Sequence, residues 1–344
     1  MKFQWKQSFT FVIIALVLLV AVFGCAEQTS GTTATTTSAP DKTIIFADAG
    51  WDSIQVHNRI AAFILEHGYG YKSDYVPGET IPLFAGLAKG DIDINMECWV
   101  ENQQEAYDKA VAANEVIDLG SNFADNWQGF LVPTYMIKGD ASRNIKATAP
   151  DLKSVSDLPE YWELFKDPEN PSKGRFYSCI AGWECEKINE TKFKAYGLDK
   201  NFAIFLPGSG AALAASMVSA YEKGAAWFGY YWAPTWILGK LDMTPIEEPA
   251  YDKKIWETTH ACAYPAVNVN IIVNKKFADA NPMVTEFLSK YETTTDMANK
   301  ALAYMQAQKA DTGTAAKWFL KEDESTWTPW VASDIAAKIK KALQ

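Results

Sequence analysis

The sequence predicts an α/β fold with two hydrophobic cores, and three observations carry that expectation. Short apolar strands alternate with helical stretches along most of the chain. A length of 344 residues, 48% hydrophobic and 22% charged, suffices to bury two cores and excludes general disorder. Asp91 to Trp99 alternates strictly, with Ile92, Ile94, Met96 and Cys98 on one face and Asp91, Asp93, Asn95 and Glu97 on the other.

Taken in order, the chain opens with what reads as an export signal: Lys2 and Lys6 precede an apolar run from Phe11 to Phe23 that is short for a membrane span. Val22-Phe23-Gly24-Cys25 resembles a bacterial lipobox, which implies cleavage after residue 24 and lipidation of Cys25; a retained anchor helix is the alternative. Either reading tethers the chain to the cell membrane, outside the cytoplasm. Ala26 to Lys42 is rich in Thr and Ser and reads as a flexible linker, because it has almost no apolar surface to offset the entropy of ordering.

The globular part starts near Thr43. Ile44 to Ala47 is a strand, and Ile54, Ile60, Phe63 and Ile64 share one face of a helix ending near Gly68. Further strands are expected at Leu131–Ile137, Asn201–Leu206, Ala226–Tyr231 and Val267–Val273, with a helix from Ala211 to about Lys223. The pairing should be mainly parallel, and the last strand would carry the chain back into the first domain. From Asn281 onward the chain reads as helices.

Chemistry is suggested by the tryptophans. Trp99 falls on the polar face at the carboxyl end of its strand, where ligands sit in open α/β sheets. Trp232 has the equivalent position after Phe228-Gly229-Tyr230-Tyr231, and Pro234 stops that strand. Trp183 lies between Cys179 and Cys185, which can close a tight loop by one disulfide and hold the indole rigidly. Trp51, in the first strand-to-helix turn, is either a fourth wall or a rim residue beside a helix capped by Asp52 or Ser53. Several indole faces brought together make a box for a cation that donates no hydrogen bonds, such as a quaternary ammonium group. The backbone N–H groups of Glu184 and Cys185, at the start of an expected helix, would suit a carboxylate beside it.

Other classes find less support. A net charge of −10 argues against nucleic acid as a partner. Pro207-Gly208-Ser209-Gly210-Ala211-Ala212-Leu213 imitates a dinucleotide loop but has Leu213 where close packing needs a small residue. His57, His67 and His260 stand at no spacing to a nucleophile, so no catalytic residue, metal site or cofactor is expected. A secreted carbohydrate-active protein would need a paired acid and base, with Glu97, Glu101 and Glu184 the obvious candidates. Cys98 and Cys262 are left as a second disulfide or as two buried thiols.

Cys179-x3-Trp183-x-Cys185-Glu186-x-Ile188-Asn189, Ala195-Tyr196-Gly197-Leu198 and Tyr231-Trp232-Ala233-Pro234-Thr235-Trp236 give the chain a family likeness, joined by Leu83 to Asp93 and the Trp99 strand. It resembles the extracytoplasmic glycine betaine/proline betaine binding proteins of ABC transporters. The resemblance implies a two-lobed, Venus-flytrap, type II-like periplasmic-binding-protein fold with the ligand cleft between the lobes. Its first lobe would comprise residues 43–134 and 267–344, and its second residues 135–266. Trp99 from one lobe and Trp183 and Trp232 from the other would box the ligand, with the N–H groups of Glu184 and Cys185 on its carboxylate. Gln103 stands four residues after the first Trp, where some relatives carry His, and the Gly50-Trp51 turn looks more like the choline-binding branch. The implied protein is a monomeric, non-enzymatic solute receptor serving osmoprotection, which hands its ligand to a membrane permease driven by a separate ATPase. A choline or carnitine receptor and a tethered sensor domain are the alternatives.

Overall fold

The computed structural model describes residues 43–238 and 240–344. The export signal, Cys25 and the linker up to residue 42 lie outside the described residues. No helix among the described residues is long and apolar enough to cross a membrane.

Two five-stranded mixed sheets organise the chain. The strands β1 (Thr43–Ala49), β2 (Lys72–Gly78), β3 (Ile94–Trp99) and β4 (Val116–Phe123) build most of the first. The second contains β5 (Trp127–Pro133), β6 (Gly174–Tyr177), β7 (Phe202–Phe205), β8 (Gly229–Ala233) and β9 (Met243–Pro245). Finally β10 (Val269–Asn274) returns to the first sheet, so the strand orders are β2-β1-β3-β10-β4 and β7-β6-β8-β5-β9.

The expectation of mainly parallel pairing needs correction. β1 pairs parallel with β2 and β3, and β6 with β7 and β8, but β10 runs antiparallel to β3 and β4, as β5 does to β8 and β9. Topology supplies the reason. The parallel strands end at the cleft between the sheets; a strand entered by crossing that cleft starts where they end and must run the opposite way.

The same strand moves the first crossing. Because β5 belongs wholly to the second sheet, the chain leaves the first sheet at Ala124–Asn126 rather than after residue 134. Tyr135–Ile137, expected as strand, belongs to the single helical turn Tyr135–Lys138. The return crossing precedes Val269, and the Asn126 side-chain amide donates to the Val267 carbonyl, tying the two crossings together.

Each sheet has its own packing. In the first lobe Phe46, Ile60, Leu302 and Phe319 are buried in one core, where the helix Asp52–Ile64 covers the sheet and the helices Thr295–Gln308 and Thr312–Glu322 pack on that helix. Each such side chain contributes roughly 1.5–3 kcal/mol. In the second lobe phenylalanines interlock: Phe176 has ring centroids 4.3 Å from Phe193, 4.9 Å from Phe228 and 5.0 Å from Phe130. The helix Gly210–Lys223 starts on Ser209, whose hydroxyl accepts from the Ala212 N–H at 3.1 Å, and stops at Gly224 with φ 65°.

Candidate functional site

Four tryptophans meet where the parallel strands of both sheets end. Trp51 follows β1, Trp99 closes β3, Trp183 stands in the loop beyond β6, and Trp232 lies near the end of β8. All four are buried and line one pocket, with Ala49, Ile54 and Leu83 completing its apolar wall. Trp183 is nearly perpendicular to both neighbours: its ring is 5.1 Å from Trp51 at 76° and 5.3 Å from Trp232 at 78°. Walls at right angles present indole faces to an enclosed space. Trp232 is backed by Tyr231, stacked at 4.7 Å. Trp236 lies outside this pocket, in a neighbouring groove between the lobes.

Beneath the box sits Glu97, only 1% exposed. Its Oε1 accepts three hydrogen bonds, from Trp51 Nε1 at 2.8 Å, Ser53 Oγ at 3.0 Å and Trp99 Nε1 at 3.1 Å. One carboxyl oxygen thus fixes the planes of two indoles that no ring contact joins directly. Its Oε2 has no hydrogen-bond partner among the described residues. Burial pushes the Glu97 carboxyl up to about 7, against the opposing effect of those three donors. Ser53 is therefore committed to Glu97, and the helix Asp52–Ile64 has no side-chain cap, contrary to the expected role of Asp52 or Ser53. Behind it His57, also buried, exchanges a hydrogen bond with the Tyr291 hydroxyl at 2.8 Å, and burial holds its pKa down to about 3.

The corner expected to hold an anion is partly occupied. Glu184 opens the helix Glu184–Tyr196, and its backbone N–H donates to Thr80 Oγ1 of the other lobe at 3.1 Å. Thr80 in turn donates to the Gly182 carbonyl at 3.3 Å. Gln103 lines the pocket, yet its amide donates to Cys98 Sγ at 2.9 Å. Next to it Asn102 and Gln128 exchange two amide hydrogen bonds across the cleft, at 3.1 and 3.0 Å, and Tyr230 donates to the same Gln128 oxygen at 2.8 Å. The Trp183 indole N–H lacks a well-formed hydrogen bond; it lies near the Glu79 carboxyl, which burial raises and this N–H opposes.

A stiff scaffold holds the Trp183 loop. Cys179 and Cys185 form the disulfide, with Cα atoms 6.2 Å apart. Further along the same helix, fully buried Lys192 donates to Glu248 Oε1 at 2.6 Å and to the Cys262 carbonyl, with its ammonium 4.5 Å from the Tyr264 ring centre. Burial lowers the Lys192 pKa and raises that of Glu248, so desolvation outweighs their attraction. Tyr264 donates to Asn189 at 2.7 Å, and Asn189 donates to Ser178 at 3.0 Å, clamping the helix against the strand-end loop.

The second disulfide is not formed. Cys98 and Cys262 are both free and buried. They belong to different lobes: Cys98 sits on β3 beside Gln103, whereas the Cys262 thiol faces the Asp252 carbonyl at 3.7 Å. Glu101, another of the acids that the sequence offers, accepts from the Asn268 N–H at 3.5 Å near the return crossing and does not line the pocket.

Sequence reasoning missed Thr80, Asn95, Asn102 and Tyr230 as lining residues, and it named Glu97 only as an acid for another chemistry. A signal for part of this set was present. Asn95, Glu97 and Trp99 are the polar face of the alternating strand, and that face looks into the pocket rather than into solvent.

The chain is similar to known proteins over most of its length. A 23% identical relative, over 84% of this chain and 90% of its own length, is the trimethylamine N-oxide-binding protein of Pelagibacter ubique. The glycine betaine/proline betaine-binding periplasmic protein of Escherichia coli is 24% identical over 74% of this chain and 78% of its own. Among solved structures, an ABC-transporter choline binding protein in complex with choline superposes with a TM-score of 0.72, at 18% identity, covering 88% of this chain and 98% of that one. Lactococcal OpuAC in its closed form with glycine betaine gives 0.67 at 19% identity, covering 85% of this chain and all of that one. These likenesses establish the two-lobed binding-protein fold. The model of the OpuAC family, the substrate binding domain of ABC-type glycine betaine transport systems, matches residues 42–322, and the chain belongs to that family.

Proposed function

We propose that this protein is the extracytoplasmic receptor of an ABC importer, taking a methylated ammonium solute into the box of Trp51, Trp99, Trp183 and Trp232 and delivering it to a membrane permease. The observation that carries the reading is the right-angled set of indoles closing over one cleft from both lobes. A methylated ammonium gives up only weak hydration, so each desolvated indole face is worth roughly 1–2 kcal/mol to it. Micromolar affinity needs about 8 kcal/mol net, so the four faces supply part of it and burial of the ligand's methyl groups against the same indoles must supply the rest and the cost of closure. The relatives named for glycine betaine, choline and trimethylamine N-oxide set the range of ligands to screen. Lipidation at Cys25 would keep the receptor at the membrane, and bending at the two crossings would open and close the lobes.

The test is a calorimetric screen of glycine betaine, proline betaine, carnitine, choline, trimethylamine N-oxide and a panel of sugars. At least one methylated ammonium should bind and the sugars should not. Trp183→Ala should weaken that binding at least tenfold in tryptophan-fluorescence titration in a chain that still melts cooperatively. Undiminished affinity in this variant would sink the box.

A further inference from the structure

Among the described residues, the lining of the box is acidic and contains no positive side chain. Glu97 and Glu184 both contribute to it, and no Lys, Arg or His does. Three neutral donors of the lining are engaged within the protein, the Glu184 N–H by Thr80, the Gln103 amide by Cys98 and the Asn102 amide by Gln128, while the Trp183 indole N–H near Glu79 is left without a well-formed hydrogen bond. Meanwhile Glu97 brings a carboxyl of its own beneath the indoles, with one oxygen saturated by three donors and Oε2 left without a hydrogen-bond partner among the described residues. An unpartnered buried oxygen is costly unless something arrives to meet it.

A betaine would add a second carboxylate to this enclosure. Two like charges in a water-poor site repel, so a betaine would have to bind with Glu97 protonated, and no cation of the described lining stands between the two carboxyls. A ligand without a carboxylate has neither difficulty. A cation such as choline pairs with the ionised Glu97, and the oxygen of an N-oxide accepts from a protonated one. Resting on the reading that the box holds a methylated ammonium, we infer that this receptor selects methylated nitrogen compounds that carry no carboxylate, with Glu97 and Thr80 as the specificity-determining residues.

Titration calorimetry of the full chain with choline, trimethylamine N-oxide and glycine betaine under one condition tests this. The carboxylate-free ligand should bind at least tenfold tighter than glycine betaine. In the double variant Glu97→Gln, Thr80→Ala, which removes the buried carboxyl and frees the Glu184 N–H, that gap should narrow at least threefold. The single Glu97→Gln variant separates the two ligand types: choline should lose at least tenfold with the charge, while the N-oxide should retain most of its affinity because an amide still donates. Glycine betaine binding as tightly as the others to the unaltered chain would overturn this inference and leave the box intact. No binding of any of the three by a chain that melts cooperatively would overturn the box itself, and the inference with it. A gap unchanged in the double variant would overturn the assignment to these two residues.

Discussion

Glu97 concentrates several roles in one side chain. It joins Trp51, Ser53 and Trp99 through a single oxygen, and its burial makes it a weak acid near neutrality. The sign of its effect on stability follows. Its carboxyl rises from 4.5 to about 7 on folding, so the folded state holds the proton more tightly. Its contribution is fully present below about pH 4.5 and is lost as the pH rises through about 7. Denaturant unfolding at about pH 5 and about pH 8 should therefore show a decline in the parent chain that is smaller in Glu97→Gln. An equal decline in both would place the titrating group elsewhere. The alternation of Asp91 to Trp99 was legible from the sequence, but the three bonds on one oxygen were not. Two of them come from residues more than forty positions away, whose approach depends on β1 pairing with β3.

At the scale of the element, the helix Glu184–Tyr196 is held at both ends of its exposure to the site. The disulfide fixes its first turn to the preceding loop, and the Lys192–Glu248 pair fixes its far side to the segment before the return crossing. Closing a loop of this short span is worth roughly 2 kcal/mol through the unfolded state. The double variant Cys179→Ser, Cys185→Ser should lower unfolding free energy by about that amount. It should also weaken ligand binding severalfold, because Trp183 would have to be ordered on binding. A binding constant unchanged beside a lowered melting temperature would limit the disulfide to a structural role. Two cysteines six positions apart make this loop legible in the sequence. Lys192 gives no such notice: a lysine amid charged residues on a helix reads as surface, and only the fold shows that it is sealed from water.

Across the whole molecule, the lobes meet through small and polar groups as well as through indoles. A Cβ on Gly210, at the start of the second-lobe helix, would lie 2.8 Å from the Gly50 carbonyl in the first lobe. Backbone cannot give way there as a flexible side chain would. Gly210→Val should therefore hinder closure, reducing ligand affinity at least tenfold while the melting temperature of the ligand-free protein changes by no more than a degree or two, since each lobe keeps its own core. Small-angle scattering should then report no ligand-induced compaction. Full compaction with unchanged affinity would show that this contact does not limit closure.

The sequence by itself determined the alternation of strands and helices, the cysteine clamp, and which tryptophans stand at strand ends, because these depend on residues near one another along the chain. Strand direction, the true first crossing at Ala124–Asn126 and the fates of Cys98 and Cys262 were decided only by tertiary structure. So was the polarity of the site. Whether a backbone N–H is free for a ligand depends on what the opposite lobe brings to it. Here that lobe brings Thr80, about a hundred residues earlier in the chain, together with a buried carboxyl that local patterning had marked only as the polar side of a strand.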